Sequence, residues 1–233
     1  MSQGLSYETR HRAGDALSTH RHATAYAALT LAGCYLERSA DGPVACAPGT
    51  MIVHPAFHAH GNRFGHLGAR VINIPVSATV NTLTVCQAHH LGEALDVFRN
   101  APALLDELLR AARPHQRHAL ADWHAPFLEA LRAGDEPVGT IATRLGVSAA
   151  HASRSIQAAY GMSPQLLRRE YRWRSALAML PTTRSLADIA ALAGFADQSH
   201  LTRVTRSISG ASPAALRRGI KCVQDPATVP PVE

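Results

Sequence analysis

The segment from Ile141 to Arg169 reads IATRLGVSAAHASRSIQAAYGMSPQLLRR, and a closely similar segment, IAALAGFADQSHLTRVTRSISGASPAALRR, runs from Ile189 to Arg218. The two copies share an Ile-Ala start, a glycine, a Ser/Thr-Arg pair and a Ser-Pro step followed by Leu-Arg-Arg. One extra residue in the turn of the second copy shifts its later matches. Each copy has the pattern of a helix, a tight turn at glycine and a second helix, which is typical of a helix-turn-helix unit. The repeat predicts two such units side by side.

The turn and cap residues of both copies support this interpretation. Gly146 and Gly194 suit the positive φ that ends a helix, and Ser148 and Asp197 can accept hydrogen bonds from the free amides of the next helix. A generic helical bundle is the alternative, but a bundle has no need to repeat its caps at matched spacing. The second helices are predicted over Ala149 to Tyr160 and Gln198 to Ser209.

The charge of the chain is divided unevenly. Residues 1 to 135 contain eleven arginines and eleven acidic residues, whereas residues 137 to 221 contain twelve basic and three acidic residues, a net charge of +9. Solvated surface charge does not explain this asymmetry. A basic helical region favours a polyanionic partner, because binding to phosphates releases condensed counterions.

The residues that follow the second turn resemble the AraC/XylS family of bacterial transcription regulators, whose DNA-binding region is about as long as Glu136 to Arg218. The string GFADQSHLTRV from Gly194 to Val204 is similar to the family signature, as are the later Gly210, Ser212-Pro213 and Leu216-Arg217. The chain departs from the family at Thr205, where the family usually carries a phenylalanine.

The resemblance implies that both second helices enter successive major-groove segments on one face of double-stranded DNA. The intervening helix then sets their spacing and packs through a stripe of Leu166, Trp173, Leu177 and Leu180. Arg154, Gln198 and Arg203 are the expected base readers, since arginine can bind guanine and glutamine adenine with two hydrogen bonds. A phosphate contact or an internal ion pair is the alternative for either arginine. The positions that match the family's base contacts are Ala150, Ser153, Arg154, Gln157, Gln198, Ser199, Thr202 and Arg203.

The N-terminal region has a different pattern. Apolar runs at Tyr26 to Tyr35, Thr50 to Val53 and Ala69 to Val76 are separated by glycine, proline and asparagine. They predict short antiparallel strands of a sandwich or barrel. The fold class is therefore α+β, with an N-terminal β domain and an all-α C-terminal domain.

Histidines in this region follow a pattern similar to the two cupin motifs. Gly14, His20-x-His22, Tyr26 and Gly33 are similar to the first motif, with tyrosine in place of the usual glutamate. Gly49, Pro55, Phe57 and His60 are similar to the second, with phenylalanine in place of a glycine. The resemblance implies a barrel whose interior receives His20, His22, Tyr26 and His60.

Two functions of that interior remain open. His20, His22 and His60 could hold a divalent transition metal, because imidazole is a common ligand of such ions. The favoured interpretation is a degenerate cupin that binds a small-molecule effector without metal, and hence no cofactor and no enzyme activity. The alternative is a cupin metalloenzyme fused to a DNA-binding module.

Helical periodicity marks the stretch between the two regions, over Leu91 to Phe98, Pro102 to Ala112 and Arg117 to Leu131. In the family such helices commonly pair two protomers, so a homodimer is expected. The predicted domains are residues 1–133 (barrel about 1–76, helices about 89–133), 134–221 and a tail at 222–233.

Further features of the sequence bear on location and partners. The absence of a run of eighteen apolar residues predicts no membrane span, and the polar start from Met1 to Arg12 predicts no signal peptide. Cys34, Cys46, Cys86 and Cys222 lack CxxC spacing and are expected to be reduced thiols. The resulting hypothesis is a cytoplasmic, effector-sensing transcription regulator that binds promoter DNA and can contact RNA polymerase.

Overall fold

The computed structural model describes residues 6–76, 80–116 and 119–224, with side chains as far as residue 220. The chain divides into two compact units, one of residues 1–122 and 153–163 and the other of residues 123–152 and 164–233. The proposed domain boundary after residue 133 stays a prediction. Most of the proposed tail, residues 225–233, lies outside the described residues.

The first unit contains one antiparallel sheet. Its strand order is β1-β6-β3-β5-β7-β8, with β2 also paired to β6 and β4 also paired to β3. The strands are β1 (Tyr7–His11), β2 (Ala16–His20), β3 (Tyr26–Ser39), β4 (Gly42–Cys46), β5 (Thr50–His54), β6 (His60–Pro75), β7 (Thr84–Gln87) and β8 (Arg113–Pro114).

The two long strands, β3 and β6, organise this sheet. The first part of β3 pairs with β5 and its last part with β4, while β6 runs along nearly all of β3. The register places Tyr26 opposite His54. It also places His60 opposite His20 on one side and opposite Ser39 on the other. In this register Tyr26 and His60 lie at opposite ends of β3, yet the Tyr26 hydroxyl is 3.0 Å from His60 Nε2, so the sheet curves to bring its two ends together.

Alternate residues of β3 face two apolar clusters. Leu29 packs with Met51 and Ile72 in a cluster that also contains Phe98. Ala28 instead joins the cluster on the opposite face of the sheet. Because side chains alternate along a strand, burial on both faces explains why β3 and β5 are almost continuously apolar.

The sheet extends beyond its predicted end near residue 76, since β7 and β8 come later in the chain. Both strands are too short to show a clear alternation: β7 is placed by its pairing with β5, and β8 by its pairing with β7.

The connecting helices are α1 (Leu91–Asn100) and α2 (Leu105–Ala111), joined by a 3-10 turn at Pro102–Leu104. They lie where helices were predicted. The third predicted helix starts later than Arg117, because α3 covers His124–Ala133. Residues 117 and 118 lie outside the described residues.

The remaining helices are α4 (Val138–Arg144), α5 (Ala149–Tyr160), α6 (Pro164–Met179), α7 (Leu186–Leu192), α8 (Gln198–Ser209) and α9 (Pro213–Gln224). Among the described residues, every helix is too short or too polar to span a membrane. Cys34, Cys46 and Cys86 are free thiols.

The predicted apolar stripe on α6 is partly wrong. Leu166 is 38% exposed, whereas the neighbouring Leu167 is fully buried. The inward face of α6 comprises Leu167, Glu170, Trp173 and Ala176, and Leu180 is buried just after the helix ends. Because this face contains a buried glutamate, apolar spacing alone does not identify it.

Candidate functional site

The four residues predicted for the N-terminal pocket lie together. His20, His22, Tyr26 and His60 all line a cavity of about 120 Å³. One nitrogen from each of the three imidazoles lies within 4.8 Å of the others. The Tyr26 hydroxyl is 3.0 Å from His60 Nε2. The structure therefore assembles the predicted group, although Tyr26 contributes a hydroxyl where the cupin motif has a carboxylate.

A carboxylate is nevertheless present, from a position that the motif did not indicate. Glu37 lines the same cavity, is 2% exposed, and its Oε1 lies 2.9 Å from His54 Nε2. The cupin motif places its carboxylate at the position of Tyr26 and therefore did not predict an acidic group elsewhere in this pocket. Glu37 is eleven residues further along the same strand.

Two further histidines were missed. His54 ends β5 and His58 lies in the following turn, and both are buried. His58 Nε2 lies 2.9 Å from Oδ2 of Asp41. The alternation in the string HPAFHAH, from His54 to His60, was the available signal.

Burial and neighbouring charges set the ionisation of the pocket. Burial is the main cause that lowers the pKa of His60 to about 3, against the opposing effect of Glu37. Burial likewise lowers the pKa of His22 and raises that of Tyr26. Burial alone would raise the pKa of Glu37, but the charge and hydrogen bond of His54 lower it to about 2. Near neutral pH the pocket therefore combines a neutral His60 imidazole with an ionised carboxylate.

Phe57 retains the backbone conformation expected of the glycine that it replaces. It has a φ of 59°, in the left-handed region that favours glycine. Its amide donates to the carbonyl of His22 at 2.7 Å, and its carbonyl accepts from Arg21 Nη1 at 2.7 Å. These bonds tie the strained residue to the segment that carries His22, so the motif geometry persists without the motif residue.

The two predicted helix-turn-helix turns have the same geometry. Gly146 and Gly194 have φ values of 73° and 77°. In the first turn the amide of Val147 donates to the carbonyl of Ala142 at 3.0 Å, and in the second Phe195 donates in the same way to Ala190 at 2.8 Å. These bonds satisfy the last carbonyls of α4 and α7, as expected for a glycine-terminated helix.

The second helices begin at the predicted caps. Ser148 Oγ accepts from the amide of His151 at 3.2 Å, and Asp197 Oδ1 accepts from the amide of His200 at 2.6 Å. Helices α5 and α8 then run over the predicted residues, Ala149–Tyr160 and Gln198–Ser209.

Each second helix buries one face and exposes the other. On α5, Ile156 is buried while Arg154 and Gln157 are exposed. On α8, Leu201 is buried while Gln198 and Arg203 are exposed. The predicted base-contacting residues all avoid the buried faces: Ala150, Arg154, Gln157, Gln198, Ser199 and Arg203 are exposed, and Ser153 and Thr202 are half-buried.

The family model described as a helix-turn-helix domain matches residues 141–219, a range that contains both helix-turn-helix units. The C-terminal region is an AraC-type helix-turn-helix domain. Such a domain binds DNA, and the chain is accordingly a DNA-binding transcription regulator.

Solved structures of low sequence identity are also similar to the chain. ToxT from Vibrio cholerae O395 is 11% identical, with 94% of this chain and 98% of ToxT covered and a TM-score of 0.43. A transcriptional regulator with an AraC-type DNA-binding domain from Chromobacterium violaceum is 22% identical, with 41% of this chain and 89% of its own covered and a TM-score of 0.39. The C-terminal domain of AraT from Geobacillus stearothermophilus is 23% identical, with 44% and 88% covered and a TM-score of 0.41. The chain matches no curated protein at a significant level.

The repeated Leu-Arg-Arg ending closes each unit of the AraC-type domain. Arg168 Nη2 donates to the carbonyl of Glu136, just before α4. At the equivalent place in the second unit, Arg217 Nη2 donates to the carbonyl of Arg184 at 2.8 Å and its Nε to that of Leu180 at 2.9 Å. These arginines belong to the scaffold and are distinct from the exposed arginines of α5 and α8.

Thr205, where the AraC-type signature departs, is fully buried, and its hydroxyl donates to the carbonyl of Leu201 at 2.8 Å. The smaller side chain thus still faces inward, and its polar group is satisfied within the helix.

Arg154 and Arg203 form no ion pair or side-chain hydrogen bond with any residue that the structure describes. This argues against the internal ion pair considered for them. Contacts to a base or to a phosphate remain.

Proposed function

We propose that the chain recognises a specific operator sequence through α5 and α8 and that its N-terminal unit senses a small effector. The observation that carries the DNA part is the exposure of Arg154 and Arg203, neither of which is paired with a residue that the structure describes, on helices whose opposite faces are buried. Unpaired guanidinium groups at these positions can bind guanine O6 and N7 without first breaking an internal bond. Placement of both helices against one face of DNA is part of the proposal.

The N-terminal pocket supports the sensing part. It is lined by polar and aromatic side chains, of which Glu37, His54 and His60 are buried, and its volume of about 120 Å³ suits a small effector or an ion. Pockets for drug-sized ligands are larger, roughly 300–1,000 Å³. For binding there to regulate, the effector must prefer one of two conformations that differ in affinity for DNA.

Selection from a random library of double-stranded DNA tests the proposal, because it requires no candidate operator. The selected sequence and a shuffled version of it would be compared by fluorescence anisotropy at the same salt concentration. A specific reader keeps an affinity ratio of about 10³ or more between them. Equal affinities would identify a non-specific nucleic-acid binder and contradict the proposal.

Replacement of the proposed reader on α8, Arg203→Ala, is expected to weaken binding to the selected operator by about 1–3 kcal/mol and to relax the preference at one base pair. The loss follows from removal of a bidentate contact to one base. Anisotropy on a panel of operators with single base-pair changes measures both effects.

Arg206→Ala is the matched control, because Arg206 is exposed on the same helix but is not a predicted base contact. It should leave the base preference intact. If Arg203→Ala weakens binding to the selected and the shuffled DNA equally, Arg203 contacts a phosphate and does not recognise a base.

We further propose that the regulator is cytoplasmic, since bacterial DNA lies in the cytoplasm. We also propose that it is a homodimer, since a dimer can occupy two half-sites. Exposed Leu104 and Leu120, in the segment expected to pair protomers, support this proposal. Sedimentation equilibrium of the full chain tests it, and a concentration-independent monomer would contradict it.

A further inference from the structure

We infer that His54, His58 and His60 form a binding site for a divalent transition-metal ion, an alternative to the trio of His20, His22 and His60 predicted from the sequence, with which it shares His60. The three residues are 1%, 4% and 2% exposed. One nitrogen from each lies within 4.8 Å of the other two, so the three rings are close enough to share one ion.

The hydrogen bonds of two rings determine which nitrogen is available. Glu37 Oε1 lies 2.9 Å from His54 Nε2, and Asp41 Oδ2 lies 2.9 Å from His58 Nε2. A carboxylate can only accept, so in the neutral, metal-binding form of each imidazole the proton sits on Nε2. The lone pair of each ring is therefore on Nδ1.

Those two Nδ1 atoms are buried and have no hydrogen-bond partner among the described residues. A buried nitrogen without a partner is unfavourable, and native proteins rarely leave one unsatisfied. Two such atoms occur here on neighbouring rings, His54 and His58, whose centroids are 5.6 Å apart. A bound cation would satisfy both lone pairs at once.

The third ring has the matching tautomer. His60 Nδ1 lies 3.2 Å from the carbonyl of His58, so Nδ1 donates and the lone pair of His60 is on Nε2. That lone pair accepts from the Tyr26 hydroxyl at 3.0 Å. The hydroxyl proton can rotate away, which leaves Nε2 free to bind an ion.

The ligand set selects the class of ion. Three imidazoles favour zinc, cobalt or nickel, whereas magnesium and calcium prefer oxygen ligands. A carboxylate that accepts from the second ring nitrogen of a metal-binding histidine fixes the ring and increases its basicity. Glu37 and Asp41 occupy those positions. His54 and His60 also line the cavity, which provides a route of entry.

Isothermal titration of Zn²⁺ into the full chain tests the inference, with protein that lacks a histidine tag and has been treated with chelator. Titration with Co²⁺, followed by visible absorption, reports whether nitrogen ligands surround the ion. We expect one ion per chain. Absence of stoichiometric binding would overturn the inference.

Variants distinguish the two trios. His58→Ala should abolish binding, and Asp41→Asn should lower the affinity by about 10–100-fold. His66→Ala, at an exposed ring outside both trios, should leave the affinity unchanged. Loss of binding in His20→Ala but not in His58→Ala would place the ion in the other trio and overturn the inference.

Asp41→Asn keeps the test valid if His58→Ala does not fold, because the Asp41 side chain is 31% exposed and asparagine has the same shape. An unchanged affinity in a folded Asp41→Asn protein would contradict the role of the carboxylate. None of these outcomes depends on DNA binding, so the site can fail without affecting the proposed operator recognition.

Discussion

Gly33→Ala is expected to prevent the N-terminal sheet from folding, because it should lower the free energy of unfolding by more than about 4 kcal/mol. Gly33 has a φ of 72°, and a Cβ added to it would lie 2.0 Å from the carbonyl oxygen of Gly68. The next nearest atoms are also backbone atoms of Gly68 and Ala69. Strands β3 and β6 would have to separate at the bulge between them, because no side chain there can move aside. Soluble yield and circular dichroism measure the outcome.

Gly14→Ala is the matched control. Gly14 has nearly the same φ, 76°, but an added Cβ would meet no atom within 4 Å. The only cost of alanine there would be its left-handed backbone conformation, which should lower the free energy of unfolding by about 1–2 kcal/mol. If urea unfolding showed the same loss of unfolding free energy for both variants, the close approach of β3 and β6 at Gly33 would not be the cause of the effect.

Trp173→Ala is expected to lower the free energy of unfolding of the second unit by about 3–5 kcal/mol. Trp173 is the largest of the fully buried side chains and lies on the inward face of α6. Its removal leaves a cavity beside the helix that joins the two helix-turn-helix units. Urea unfolding followed by circular dichroism at a helical wavelength measures the loss.

Leu166→Ala on the same helix provides the comparison. The sequence placed Leu166 and Trp173 on one stripe, but Leu166 is 38% exposed. Its truncation should change the stability by less than about 0.5 kcal/mol, as is usual at the surface. Comparable losses for the two variants would mean that the predicted stripe, and not the described one, is buried.

The sequence predicted the helical region well, because its signals are local. The ends of α5 and α8 coincide with the prediction, since a cap residue starts each helix and a glycine ends it. On α6 the prediction failed at Leu166. The inward face contains Glu170, and a search for apolar spacing does not find a buried charged residue.

The pocket could be predicted only in part. His20, His22, Tyr26 and His60 were found because a known motif fixes their spacing. Glu37 reaches the pocket, and Asp41 reaches His58, only through the tertiary arrangement of the strands, which local sequence patterns do not show. Short strands such as β7 were missed for the same reason, since their partners lie far away in the sequence.

Hydrogen bonds from arginine side chains hold each helix-turn-helix unit closed independently of the other. Arg168 and Arg217 each tie the end of their own unit to the chain just before its start, by contacts with main-chain carbonyls. Main-chain atoms persist when side chains mutate, so substitutions on the surface of α8 leave the closure of the first unit untouched. Under the proposed recognition by α5 and α8, one half of the operator can therefore change during evolution while the other half is conserved.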